Sequence, residues 1–138
     1  MVVGCTLLVP PSLLRHRLPD PVATHWRATS DVPDGSMPLW VTPVVATALW
    51  TVVVAVVAAL WRRGLTARPA VRAWCVSILG GGGGFLVAVQ LTIIHANLDR
   101  PTWQAAGVPT WGLLLAGLLG GLAGLPGLAA KRRSRTTR

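Results

Sequence analysis

The sequence predicts an all-α, polytopic transmembrane protein, and three observations carry that expectation. Its 138 residues suit one domain. They are 52% hydrophobic and only 12% charged, about half the charged share of a typical soluble domain. Residues 35–61, 73–98 and 101–130 contain no Asp, Glu, Lys or Arg, and each run exceeds the about 20 apolar residues that a membrane helix needs. The charges are also segregated. Arg62, Arg63, Arg68 and Arg72 lie between the first two runs, and Lys131, Arg132, Arg133, Arg135 and Arg138 follow the third. Arg15, Arg17, Arg27 and Arg100 are balanced by the only acids, Asp20, Asp31, Asp34 and Asp99. One set of loops thus carries the whole net charge of +9, as the positive-inside rule predicts for cytoplasmic loops. This pattern argues against a soluble enzyme, a disordered tail and a disulfide-stapled scaffold. Nucleic acid is not an expected partner, because no stacking aromatics interleave the basic tail.

Residues 1–14 read as part of a further membrane helix, cut short at its beginning. Val2-Val3-Gly4-Cys5 resembles a lipoprotein cleavage box, but the charged and apolar regions that must precede such a box are missing. Cys5 and Cys75 fall at different depths, so no disulfide is expected, and two cysteines form no metal-ligand pattern. Residues 15–38 form an extracytoplasmic His/Asp segment. The first full span covers about 39–61, with Trp40 and Trp61 separated by about 31 Å of helix, close to the spacing of two interfacial aromatic belts. Its β-branched Val52–Val57 stretch would favour a strand in water, but in lipid the backbone must bond to itself, so a helix is expected.

Arg62–Arg72 is a short cytoplasmic connection in which Pro69 discourages helical continuity. A second span covers about 74–96, a turn follows at Asn97–Pro101, and a third span covers about 110–130, ending at the basic tail 131–138. Gly80 and Gly84 within the five-glycine run, and Gly117/Gly121 and Gly120/Gly124 in the third span, share four-residue spacing. Such stripes let helix backbones approach closely, so the second and third helices are expected to pack through them. They would serve a homo-oligomer equally well. Pro126 should kink the third helix near its inner end.

The most distinctive stretch is Leu18-Pro19-Asp20, then Thr24-His25-Trp26, then Pro33-Asp34-Gly35. Prolines and an Asp-Gly turn indicate an ordered loop over the outer helix ends, with Asp20, Thr24, His25 and Asp34 bonding backbone groups and Trp26 resting at the lipid interface. This pattern resembles a bacterial and archaeal membrane domain, the domain of unknown function 1648, found at the start of SdpI-like immunity proteins. The resemblance implies a first helix, this motif outside and three further helices. It assigns Leu18, Pro19, Asp20, His25, Trp26, Pro33, Asp34 and Gly35 to motif positions. Ala23 stands where the family usually has proline, Ser30 where it has glycine, and no lysine follows Gly35. No SdpI-like C-terminal domain is present.

Two function classes follow. The first is a non-enzymatic binding or accessory protein of the bacterial inner membrane, with the bilayer around it and an envelope protein or peptide as partner. It needs no cofactor, its C-terminus is cytoplasmic, and protection against a membrane-active toxin is its most concrete form. The second is a metal-dependent sensor or enzyme, in which Asp20, His25, Asp34, His95 and Asp99 supply oxygen and nitrogen ligands. His16, between two arginines, is a poor cation ligand. No ionisable residue lies mid-span, which argues against a proton or ion pathway.

Overall fold

The computed structural model describes residues 2–27, 31–112, 114–118 and 121. Helix α1 spans Val2–Leu13 and carries Pro10 and Pro11 near its end. A proline removes one backbone donor, and the helix stops within a turn, where the Leu14 N–H reaches the Pro10 carbonyl at 3.0 Å. A short 3₁₀ turn at Arg15–Arg17 follows. Helix α2 covers Val41–Arg62, within two residues of the expected span. It ends at Gly64, whose φ of 68° gives the left-handed turn that glycine accepts without strain.

Helix α3 runs through Pro69–Asn97, longer than the expected 74–96. Pro69 begins this helix rather than breaking it. The first helical residue needs no backbone donor, and the fixed φ of proline suits it. The five-glycine run falls where the backbone widens into one π turn, Ile78–Gly82, before the α-helix resumes at Gly83. Helices α2 and α3 are each long and apolar enough to cross a membrane. Of the expected third span, residues 110–112, 114–118 and 121 are helical. Pro126, Gly120, Gly124 and the basic tail lie outside the described residues.

The expected all-α class needs amendment at residues 15–38. This segment contains a β-hairpin of two antiparallel strands, β1 (Val22–Trp26) and β2 (Pro33–Met37). Asp34-Gly35 is not the turn. It lies inside β2, and the chain reverses between Trp26 and Pro33. Proline at the first position of an edge strand is tolerated, because no ladder bond is lost there.

The hairpin is seated on the ends of the helices. Leu18, Val22 and Ile94 form a buried cluster, with Leu14, Leu39, Ile93 and Leu98 packed against it. A second packing centre joins the three helices further along. A methyl group at Gly83 would stand 3.0 Å from the Trp50 ring of α2 and 3.2 Å from Val3 of α1. Glycine packing therefore occurs at Gly83. Gly80, Gly84, Gly117 and Gly121 have open space where a side chain would begin. The contact between α3 and the helical residues after 110 is made by Gly112, where a Cβ would overlap the Thr92 side chain.

Candidate binding site on the hairpin

Register decides what the hairpin presents. Val22 pairs with Met37 and Ala23 with Ser36, but His25 pairs with Gly35 and Trp26 with Pro33. Thr24 is thus an extra residue on β1, and Asp34 an extra residue on β2. Bulges of this kind re-aim side chains. Here they bring His25 and Asp34 together, with imidazole Nδ1 2.6 Å from Asp34 Oδ1. Arg27 Nε donates to the other carboxylate oxygen, also at 2.6 Å. The close approach requires a bare backbone opposite His25. A Cβ at position 35 would lie 2.9 Å from the Cβ of His25, which is why glycine follows Asp34.

The Asp34 carboxyl is held below the usual carboxylate range, first by the His25 hydrogen bond and then by Arg27, against the opposing effect of desolvation. Nδ1 faces the carboxylate, and Nε2 is the ring nitrogen not engaged with Asp34. His25 and Arg27 are exposed, with side chains 69% and 72% accessible, so both can meet a partner. Among the described residues, the side-chain partner of His25 is Asp34.

Three further contacts fix this hairpin in place. Asn97, at the end of α3, is fully buried. Its Oδ1 accepts the Ala23 N–H at 2.8 Å, and its Nδ2 donates to the Ala23 carbonyl at 2.9 Å. The side-chain amide thereby occupies the place of a third strand beside β1, and a further Nδ2 bond reaches the Ile93 carbonyl. Arg17 grips Asp99 through two hydrogen bonds, with Nε at 2.8 Å from Oδ1. The Arg17 carbonyl also accepts the Asp99 N–H at 2.8 Å. That pairing holds Asp99 at a φ of 57°, where Asp is tolerated better than most residues. The guanidinium lowers the Asp99 pKa and rises in its own. Asp20 accepts the Leu39 N–H at 3.0 Å just before α2.

The sequence motif therefore divides by role. Leu18 and Pro33 are buried, Thr24 and Trp26 are half-buried, and Pro19 lies at the entrance to the hairpin. The five expected ligands do not converge. Among the described residues, no group of three His, Cys, Asp or Glu side chains could hold a metal ion. Asp20 serves Leu39, Asp99 serves Arg17, and His25 and Asp34 serve one another. His95 lines a separate open cleft of about 260 Å³ with Thr92, Val108, Trp111 and Gly112. Both cysteines are free, Cys5 exposed and Cys75 buried. Sequence reasoning missed Asn97 and the Arg17–Asp99 pairing. The available signal was an Asn and an Asp directly after an apolar run. Comparison with protein-family models, curated proteins and solved structures finds no match.

Proposed function

We propose that this chain is a multi-pass protein of the bacterial inner membrane, with its hairpin outside and its C-terminus in the cytoplasm. It acts as a non-enzymatic binding protein that offers His25, Arg27 and Asp34 to an envelope protein or peptide. The observation that carries this reading is the combination of a fixed scaffold and an exposed polar cluster. Asn97, Arg17–Asp99 and Asp20 tie down the hairpin, while His25 and Arg27 stay open to solvent. A preorganised surface of this kind loses little entropy on binding. Two apolar helices and the one-sided charge pattern support the membrane setting.

Protection against a membrane-active toxin, as in SdpI-like proteins, is the most concrete form of this function, and it rests on analogy. The test is survival of cells expressing the protein when challenged with co-encoded toxins. Protection that disappears in His25→Ala and Asp34→Asn, with membrane levels unchanged, is the expected result. Equal killing with and without the protein across the candidates refutes it.

A further inference from the structure

A second polar site lies apart from the hairpin cluster. Where α1 ends and α2 begins, Ser12, Arg15, Asp20, Leu39, Trp40 and Pro43 line a cleft of about 310 Å³. Arg15 is exposed and makes no hydrogen bond or ion pair among the described residues. Asp20 uses Oδ1 for the Leu39 N–H, which leaves Oδ2 free. Ser12 already donates its hydroxyl hydrogen to the Leu8 carbonyl at 2.8 Å, so it has only lone pairs to offer. One cleft thus holds an unused cation beside an unused carboxylate oxygen and a hydroxyl acceptor, and Arg15 and Asp20 form no salt bridge with each other. Trp40 at its edge is 65% exposed, an aromatic of the kind that rests at a membrane surface. The apolar helices α1 and α2, whose ends line the cleft, pack against one another.

We infer that this cleft binds the headgroup of a zwitterionic phospholipid with a primary ammonium, phosphatidylethanolamine. The phosphate faces the Arg15 guanidinium, the ammonium donates to Asp20 Oδ2 and Ser12 Oγ, and an acyl chain follows the α1–α2 seam. An ethanolamine headgroup matches both charges. Glycerol headgroups bring no cation for Asp20, and choline brings one that cannot donate a hydrogen bond. The inference rests on the membrane reading above.

The test uses the full chain reconstituted in nanodiscs containing equal amounts of phosphatidylethanolamine, phosphatidylglycerol and phosphatidylcholine with matched acyl chains. Lipids retained on the protein are then counted by native mass spectrometry. Phosphatidylethanolamine should be retained over either competitor by about tenfold or more, the factor expected for one charge-assisted hydrogen bond. Arg15→Gln should lose retention of every lipid. Asp20→Asn, whose amide oxygen can still accept the Leu39 N–H, should lose only the preference for ethanolamine. Equal retention of the three lipids, or the same preference in both variants, overturns the site. Soluble phosphoethanolamine displacing the bound lipid at equal concentration would assign a free ligand and overturn it too. Release of the protein from membranes by alkaline carbonate would refute the membrane setting itself. A membrane-retained protein with unselective lipids refutes only the headgroup site.

Discussion

Removing the Asn97 side chain is the sharpest test of how the hairpin is held. Ala23 is fully buried, and both its backbone groups are satisfied by the Asn97 amide at 2.8 and 2.9 Å. In Asn97→Ala neither group can reach water without opening the hairpin. A buried donor or acceptor left unsatisfied costs about 1–3 kcal/mol, so two of them cost about 2–6 kcal/mol before any cavity is counted. The Ile93 carbonyl adds little, because it can keep its bond within the helix. The readout is amide hydrogen exchange at Ala23 in detergent or nanodiscs. Exchange should accelerate about thirtyfold or more, the factor equivalent to 2 kcal/mol, and the melting temperature should fall. Asn97→Asp adds a second arm. It keeps an acceptor for the Ala23 N–H but sets an oxygen against the Ala23 carbonyl. It should therefore match Asn97→Ala at neutral pH and recover in acid, when the carboxyl can donate. Unchanged Ala23 exchange in Asn97→Ala would refute the claim that this amide acts as the third strand.

Gly83→Leu should destabilise the bundle by about 1–3 kcal/mol through overpacking against Trp50 and Val3, while Gly80→Leu and Gly84→Leu, with open space at the Cβ, should leave the melting temperature near wild type. Gly35→Ala should separate His25 from Asp34, because the added methyl meets the His25 Cβ itself and no rotamer relieves it; the imidazole NMR signals would report the lost hydrogen bond. The carboxyls of Asp34 and Asp99 are both depressed in the fold, so their stabilisation is complete above the ordinary carboxylate pKa and lost as pH falls through the lowered values. Melting temperature followed from neutral pH into acid should therefore drop, and Asp99→Asn, which tolerates the same φ, should remove part of that drop.

The helices were legible because their cause is written locally. An uncharged run longer than the bilayer, bounded by arginines and tryptophans, fixes α2 to within two residues at each end. Pro69 was misjudged because proline has opposite effects at the first turn and in the interior, and the local sequence around Arg68 shows no capping side chain to separate the two cases. The hairpin was harder. Its strands are only five residues each, they lack a clean alternation of apolar and polar residues, and Asp-Gly ordinarily marks a turn. Only the tertiary pairing shows that Gly35 is needed opposite His25. The separation of the five candidate ligands was hidden for a related reason. Histidines and carboxylates on one side of a membrane share a depth in the sequence reading, but depth alone does not place them in one coordination sphere. Arg17 and Asp99, 82 residues apart, could be counted as balancing charges but not matched as a pair.

The two irregularities of the hairpin have equal and opposite offsets. Thr24 adds one residue to β1 and Asp34 adds one to β2, so beyond them the strands regain step. The two extra residues that shape the presented cluster are therefore a separable addition to a plain ribbon. Deleting Thr24 alone would reverse the facing of everything on one side of it, whereas deleting Thr24 and Asp34 together would leave an ordinary hairpin still anchored at Ala23. The scaffold and its display can accordingly change independently: variation at the paired offsets can alter which side chains are presented while the ribbon stays seated on the helices.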